Sequence, residues 1–302
     1  MNTPGKTLVV IVGPTAVGKT ALAIQIAKHF HTEIISADSR QFYKETNTGT
    51  AKPSDNELAE VKHHFINSHS VTDTFTVGDF EDQSMKLLDD LFHHHPVIIL
   101  TGGSGLFINA VCKGFDDLPK THPEMREKLN REYQENGIEY LQQELKKIDP
   151  EYYKKVDHAN PQRIIRALEV YRSTGIPFSD YRSGSNKIRP FRIVKIGLNI
   201  ARDQLYQQIN QRVDRMISNG LINEVTALLP FRHLNALNTV GYSEVFDYLD
   251  KTCTLDEAID KIKQHTRNFA KRQLTWFKKD PEITWFEPDQ YPEILNFVKE
   301  RI

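Results

Sequence analysis

The segment Gly13–Thr20 constrains the fold of this 302-residue chain more than any other feature. It reads Gly-Pro-Thr-Ala-Val-Gly-Lys-Thr and matches the pattern G-x-x-x-x-G-K-[ST] without a mismatch. The apolar run Leu8–Val12 before it is typical of a strand covered on both faces. In Lys19–Phe30, apolar residues recur at helical spacing. A strand, a glycine-rich loop and a helix in this order predict a P-loop α/β fold.

Alternating strands and helices extend this prediction to a doubly wound, mainly parallel sheet. Further strands are predicted at Glu33–Ala37, Val97–Leu100 and Phe191–Ile200, with a helix at Val77–Phe92. After the last of these strands the pattern is helical and ends in a long helix from about Leu255 to Lys279 and a short tail. The predicted class is therefore α/β, a P-loop-type sheet with helices on both faces.

A second region, from about Lys113, contains helices without intervening strands. They are predicted at Pro123–Gly137, Ile138–Ile148 and Pro161–Ser173. Asn160 is a good N-cap for the third, and Gly175 follows its end. We therefore predict a P-loop catalytic core formed by residues 1–112 and 191–302, and a helical insertion at 113–190.

Composition excludes several classes of protein. The 39 Lys and Arg residues nearly balance 40 Asp and Glu, so net charge does not identify a partner. Cys112 and Cys253 are the two cysteines, too few and too far apart for a disulfide scaffold or a structural zinc site. The first residues resemble neither an export signal nor a membrane span. We expect a cytoplasmic protein that does not contact a membrane.

The P-loop itself predicts a phosphate site. Its residues are Gly13, Pro14, Thr15, Ala16, Val17, Gly18, Lys19 and Thr20. The glycines let backbone N–H groups turn around a phosphate, Lys19 neutralises charge, and the Thr20 hydroxyl can hold Mg²⁺. A nucleoside triphosphate and a simple diphosphate present similar oxygens, so the loop alone leaves the phosphate compound open.

Two residues at strand ends are candidates for the same cleft, since ligands of such folds bind at the carboxyl edge of the sheet. Asp38 follows the second strand and can accept a proton or help to hold Mg²⁺, directly or through water. The alternative is that it caps a turn. Ser104 lies in the turn Thr101–Gly105 and offers a hydroxyl; here the alternative is a tight turn without a chemical role.

Other nucleotide enzymes fit less well. A hydrolase or kinase of this fold carries an Asp at the end of a later buried strand to orient Mg²⁺, whereas Val97–Leu100 is followed by Thr101. The guanine-reading Asn-Lys-x-Asp is missing, because Asn186-Lys187 is followed by Ile188 and Arg189. A GTPase is therefore disfavoured, and a kinase acting on a small acceptor is the alternative enzyme.

Motifs along nearly the whole chain resemble the tRNA dimethylallyltransferase family, also called tRNA isopentenylpyrophosphate transferases. Besides the P-loop, they are Asp38-Ser39-Arg40-Gln41 with Tyr43, Gly49-Thr50-Ala51-Lys52-Pro53, Gly102–Leu106, Asn160–Val170, Gly241-Tyr242, and Thr266–Gln273 with Trp276-Phe277. The order and spacing of these motifs together are far more specific than a P-loop.

The resemblance implies a reaction: transfer of a dimethylallyl group from dimethylallyl diphosphate to N6 of the adenosine just 3′ of the anticodon, without ATP as a substrate. It implies Mg²⁺ as cofactor and a tRNA anticodon stem-loop as partner. We expect a monomer, although the sequence does not determine the oligomeric state. Asp38 would accept the N6 proton, with Ser104 and Arg126 also at the reacting centre or the tRNA. Metal contacts would come from Thr20 and Asp38. The expected tRNA contacts are Asp38, Ser39, Arg40, Gln41, Gln162, Arg163, Ile164, Ile165 and Arg166.

This chain departs from the family pattern at two places. Ser104 stands where Thr is usual, which keeps the hydroxyl, and Phe107 stands where Tyr is common, which removes a hydroxyl. A third hypothesis is an RNA-binding protein that has kept the loop without catalysis. The intact Lys19, Thr20 and Asp38 argue against it.

Overall fold

The computed structural model describes residues 5–119, 121–182, 184 and 186–302, and the backbone but not the side chain of Pro123. It divides into two compact units. The first contains Met1–Lys113 and Ile188–Ile302, and the second contains Gly114–Lys187. Residues 1–4, 120, 183 and 185, which the predicted core and insertion include, lie outside the described part.

A parallel sheet forms the centre of the first unit. In the described part of the chain it has six strands in the order β3-β2-β4-β1-β5-β6, and every neighbouring pair is parallel. The strands are β1 Thr7–Val12, β2 Ile34–Ser36, β3 His63–His64, β4 Val97–Thr101, β5 Arg192–Leu198 and β6 Ile283–Phe286. This arrangement confirms the predicted α/β class with a parallel sheet.

Both faces of the sheet are covered, as the continuous apolar runs predict. Along β1, Leu8, Val10 and Val12 pack in one hydrophobic cluster, and Val9 and Ile11 pack in another on the opposite face. All five side chains are at most 1% exposed. Because the strands are parallel, the carboxyl ends of β1, β2 and β4 meet at one edge of the sheet, where the polar loops begin.

Helices of the first unit surround this sheet. They are α1 Lys19–Phe30, α2 Asp55–Glu60, α3 Val77–Leu91, α4 Gly105–Lys113, and, after the second unit, α9 Arg202–Ser218, α10 Leu221–Ala227, α11 Ser243–Leu249, α12 Leu255–Phe277 and α13 Tyr291–Lys299. The start of α12 is set by a capping box between Thr254 and Glu257. Among the described residues, no helix combines the length and the apolar character that crossing a membrane requires.

The second unit consists of helices α5 Pro123–Ile148, α6 Pro150–Tyr153, α7 Pro161–Thr174 and α8 Phe178–Tyr181. Helix α5 covers two helices that were predicted separately, Pro123–Gly137 and Ile138–Ile148. Gly137 is a break inside it, with a positive φ of 78°. The Asn160 side chain accepts from Arg163 N–H, and Gly175 ends α7 in the left-handed conformation. The predicted limits of α7 are thus confirmed to within one residue.

The tail after α12 was predicted without a strand, and this prediction is wrong. Ile283–Phe286 forms β6, which pairs with β5 from Lys195↔Ile283 to Leu198↔Phe286. Four residues carry too little periodicity to identify a strand, and this strand exists because β5 offers it a free edge. The two-residue β3 escapes sequence patterns for the same reason.

Candidate active site

The glycine-rich loop joins the carboxyl end of β1 to the N-terminus of α1. Gly13 has a φ of 148°, and a Cβ at this position would lie 2.6 Å from the carbonyl oxygen of Leu198. Gly18 is left-handed, with a φ of 100°, directly before the first helical residue. The two glycines therefore allow the tight passage between strands and the turn that points backbone N–H groups at a ligand.

Lys19 lies within this loop. Its Nζ donates to the carbonyl oxygen of Pro14 at 2.7 Å. Burial lowers the pKa of Lys19 to about 8, although the charge of Asp38 acts in the opposite direction and that of Arg212 adds to the lowering. An anion bound beside Lys19 would favour the charged ammonium further, because it adds to the negative charge of Asp38.

A cavity of about 730 Å³ lies beside the loop. Its wall contains polar side chains from the loop, the turn after β2, α9 and α12. Among these are Lys19, Thr20, Asp38, Gln208, Arg212 and Gln273. The predicted loop residues Thr15–Thr20 and Asp38 are thus brought together in one cavity, and several cavity residues were not predicted.

Asp38 caps a turn and also lies at the cavity, and its role as a proton acceptor or metal ligand stays a prediction. Its Oδ1 accepts the backbone N–H of Arg40 at 3.1 Å, which is a turn cap. It also lines the cavity and acts electrostatically on Lys19 and Arg212. The turn therefore holds the carboxylate at the carboxyl edge of the sheet, where it faces two cations.

Ser104 lies on the neighbouring turn and meets Ser39. Its Oγ accepts the Ser39 N–H at 3.0 Å and lies 3.1 Å from Ser39 Oγ. The glycines around it permit close approach, since a Cβ at Gly102 would lie 2.3 Å from the Ala37 carbonyl oxygen. Ser104 thus connects the turn after β4 to the turn that carries Asp38. It has the structural role in a tight turn that was the alternative to a chemical role.

Arg40 and Gln41 make contacts inside the first unit. Arg40 Nη1 donates to the carbonyl oxygens of Asn235 and Ala236, both at 3.0 Å. Gln41 is 9% exposed, lines the cavity, and donates through Nε2 to the carbonyl oxygen of Thr50 at 3.2 Å. Both side chains hold loops in place; their contact with tRNA stays a prediction.

Helix α9 supplies a polar stripe that sequence reasoning missed. Gln204, Gln208, Arg212 and Arg215 follow one another at spacings of four, four and three residues and all line the cavity. Burial lowers the pKa of Arg212, and the charge of Asp38 partly offsets this effect. The spacing was a usable signal, since the intervening Leu205, Ile209 and Val213 are buried on the core side.

Gln273 of α12 bridges the two glycine turns. Its Oε1 accepts the backbone N–H of Thr15 in the P-loop at 2.8 Å, and its Nε2 donates to the Gly103 carbonyl oxygen at 2.9 Å. Both ends of this amide are therefore used, and the side chain is 6% exposed. The bridge fixes the phosphate loop relative to the turn that carries Ser104.

The cavity suits Mg²⁺ only with help from a ligand. Thr20 and Asp38 both line it, as do the carboxylates of Glu57, Glu287 and Asp289. Within the described residues, no group of three or more His, Cys, Asp or Glu side chains is placed to hold a metal ion. Mg²⁺ typically takes one or two protein ligands and completes its shell with water and substrate phosphates. The residues fit that mode of binding.

The second unit contains its own polar cluster. Glu169 of α7 is 4% exposed and forms ion pairs of 3.1 Å with both Arg126 and Arg166. Arg126 also donates to Gln162 Oε1 at 2.6 Å, and Thr121 donates to Glu169 at 2.5 Å. Three predicted site residues, Arg126, Gln162 and Arg166, are thus brought together around a carboxylate that was not predicted.

The predicted tRNA contacts on α7 divide into two groups. Gln162 and Arg163 are exposed, whereas Ile164 and Ile165 are 0% exposed in the hydrophobic core of the second unit. The prediction that Ile164 and Ile165 touch tRNA is therefore wrong. They occupy the buried face of an amphipathic helix whose polar face carries the other candidates.

Comparisons with known proteins agree with these features. Residues 41–280 match the family described as IPP transferase. The chain is 52% identical over 296 residues to a tRNA dimethylallyltransferase of Christiangramia forsetii, with 98% of each chain covered. It is 47% identical over 293 residues to a tRNA dimethylallyltransferase 1 of Bacteroides thetaiotaomicron, covering 97% and 95%. The solved structure of a full-length tRNA isopentenylpyrophosphate transferase from Bacillus halodurans is 37% identical, with a TM-score of 0.73 and coverage of 98% and 96%.

Proposed function

Because this chain belongs to the tRNA dimethylallyltransferase family, we propose that it transfers a dimethylallyl group from dimethylallyl diphosphate to tRNA. The acceptor is N6 of the adenosine just 3′ of the anticodon, and diphosphate is released. One observation carries the proposal at the level of chemistry: a single cavity unites the phosphate loop, two cations and the carboxylate of Asp38. A phosphate leaving group and an amine acceptor need these two kinds of group side by side.

The diphosphate end of the cavity stabilises a leaving group. Loop N–H groups, Lys19 and Arg212 surround the space where the charge develops as the C–O bond of the allylic diphosphate breaks. Mg²⁺ would be held by Thr20 and, through a water molecule, by Asp38, and would supply Lewis-acid stabilisation of the same charge. No protein nucleophile is needed, because the adenine N6 supplies the electron pair for the new bond to carbon, while the pair of the broken C–O bond leaves on the diphosphate oxygen.

The acceptor end of the cavity handles a proton. The adenine N6 forms a bond to C1 of the dimethylallyl group while its N–H proton passes to the Asp38 carboxylate. An exocyclic amine delocalised into the ring is a poor nucleophile, so a carboxylate that accepts its proton assists the attack. The Arg40 N–H on Oδ1 orients this carboxylate toward its task.

Recognition of the anticodon stem-loop is assigned to polar side chains of both units. On α7, Gln162, Arg163 and Arg166 are half-buried or exposed, and Arg126 contacts Gln162. Ser39, Arg40 and Gln41 flank Asp38 on the first unit. Specific RNA binding of this kind reads unstacked loop bases, and an adenine must leave its stack to reach the half-buried carboxylate of Asp38.

The experiment is transfer of radiolabel from dimethylallyl diphosphate to an anticodon stem-loop RNA, with Mg²⁺ and without ATP. We expect Asp38→Ala to lower kcat/KM by roughly 10²–10⁴-fold, the range for loss of a general base. Asp89→Ala, which removes an exposed carboxylate on α3, is the matched control and should transfer normally. A wild-type chain that leaves the RNA unlabelled but moves phosphate from ATP to a small acceptor would establish the kinase alternative.

A further inference from the structure

Two sequence motifs have no place in the reaction described above. Gly49–Pro53 forms the end of a short helical turn at Thr48–Thr50 and the residues after it, and Gly241-Tyr242 precedes α11. They are far apart in the chain. The structure brings them together at one carboxylate, that of Glu224 on α10.

Both oxygens of Glu224 are used by the turn. Oε2 accepts the backbone N–H groups of Asn47 at 3.0 Å and Thr48 at 2.7 Å, and Oε1 accepts that of Gly49 at 3.1 Å. Three successive N–H groups that converge on one point form an anion-binding concavity. Here the anion is the Glu224 side chain of the protein itself, which holds the turn in place through these hydrogen bonds.

Tyr242 completes the arrangement. Its hydroxyl donates to Glu224 Oε1 at 2.6 Å, and the residue is 0% exposed. A Cβ on Gly49 would lie 2.5 Å from the Tyr242 ring, so the ring and the turn are in direct contact. Burial and the neighbouring charge of Glu224 raise the pKa of Tyr242, which keeps the hydroxyl protonated and able to donate.

The far end of this turn reaches the cavity. The carbonyl oxygen of Thr50 accepts Gln41 Nε2 at 3.2 Å and Arg212 Nη2 at 3.3 Å. One donor of the guanidinium is thereby fixed, and a guanidinium has five. The Thr50 carbonyl therefore limits how the remaining donors of Arg212 can turn in the cavity.

We propose that Glu224 and Tyr242 are positioning residues that orient Arg212, and through it the diphosphate, by holding the turn at Thr48–Thr50. This inference rests on the proposed function. It assigns to the two unexplained motifs a task at a distance from the reacting atoms: Glu224 binds the N–H end of the turn, and the carbonyl end of the same turn binds Arg212.

Glu224→Gln is the main test, because an amide nitrogen at either oxygen position would face N–H or O–H donors. The variant therefore loses two of the four hydrogen bonds that Glu224 accepts, whichever way the new amide group is oriented. We expect kcat/KM for dimethylallyl diphosphate to fall roughly tenfold, with KM for the RNA unchanged. Glu293→Gln on α13 is the exposed control.

A double-mutant cycle with Arg212→Ala separates positioning from a general structural role. If Glu224 acts through Arg212, adding Glu224→Gln to Arg212→Ala costs little further activity. Additive losses, or an equal rise in KM for both substrates, would overturn the inference. A wild-type chain without any transfer activity would instead overturn the proposed function.

Should Glu224→Gln fail to fold cooperatively, Tyr242→Phe decides the question in the same cycle. It removes one hydroxyl and leaves three N–H groups on Glu224. We expect roughly a threefold loss of kcat/KM for the diphosphate, absent in the Arg212→Ala background. Tyr248→Phe, on the same helix α11, is the matched control and should leave kcat/KM unchanged.

Discussion

Two pairs of cations in this chain, Arg126 with Arg166 and Lys19 with Arg212, have different surroundings. Arg126 and Arg166 of the second unit share the buried carboxylate of Glu169 at 3.1 Å. Lys19 and Arg212 line a cavity, where the charge of Asp38 acts on both of them. Burial lowers the pKa of both cavity cations. The first two cations contact a buried carboxylate directly, whereas the second two have only the charge of Asp38 nearby and border space for a ligand.

This difference separates stability from function. A desolvated cation without a carboxylate in contact costs free energy, and an anion that binds beside it offsets this cost. Removing the carboxylate from a buried pair is destabilising, because it leaves the cations uncompensated. The paired arginines can meet RNA only with the donors that remain. Substitutions in the two groups should therefore change different measurements.

The largest effect is expected for Lys19→Ala. We expect kcat/KM for dimethylallyl diphosphate to fall by roughly 10²–10³-fold, as for loss of one preorganised group that stabilises developing negative charge. The midpoint of thermal unfolding should not fall, because the variant removes a buried charge. Steady-state kinetics and calorimetry on Lys19→Ala and on the exposed control Lys28→Ala check both statements. A large loss of stability in Lys19→Ala would break the contrast between the two groups.

The second effect concerns Glu169→Gln, which leaves Arg126 and Arg166 without their shared charge. Breaking a fully buried pair costs about 3–5 kcal/mol, but both arginines are partly exposed, so we expect about 2 kcal/mol. Hydrogen exchange of α5 and α7 amides should report the loss within the second unit. Glu139→Gln on the exposed side of α5 serves as the control. Unchanged protection in Glu169→Gln, together with a raised KM for RNA, would show that the cluster serves recognition rather than stability.

The smallest effect is a pH dependence of the cavity group. Free enzyme loses the Lys19 proton above its pKa of about 8, so kcat/KM for the diphosphate should fall as pH rises above this value, by roughly tenfold per unit at most. Lys19→Arg should move the decline to higher pH. Lys52, whose pKa burial also lowers to about 8, lies in another place with its Nζ on Asn67, and Lys52→Arg should leave the decline where it is.

The lowered pKa of Lys19 also predicts how the free energy of unfolding changes with pH. Below pH 8 Lys19 is charged in the folded and the unfolded chain, and the cost of burying the charge is fully present. Between about 8 and 10.5 the unfolded chain binds more protons, so this contribution makes the folded state more stable as pH rises. Denaturation of wild type and Lys19→Ala at two pH values checks it: the variant should lack this rise.

Prediction from sequence succeeded where the determining interactions are local. The loop Gly13–Thr20, the strand before it and the helix after it follow from neighbouring residues, and so do the cap at Asn160 and the break at Gly137. On α7 the residue-by-residue resemblance was extended too far. It included Ile164 and Ile165, although the helical period places them on the core side.

The parallel α/β core, the position of the phosphate loop and the family could all be predicted from the amino-acid sequence. Four features became visible only in the folded chain: Arg212 lines the cavity with Asp38, Gln273 bridges two turns, Glu224 accepts three N–H groups, and Ile283–Phe286 forms a strand. The difference lies in distance along the chain. Loop and helix signals arise from residues a few positions apart, whereas these contacts join segments that become neighbours only when the sheet and its covering helices pack.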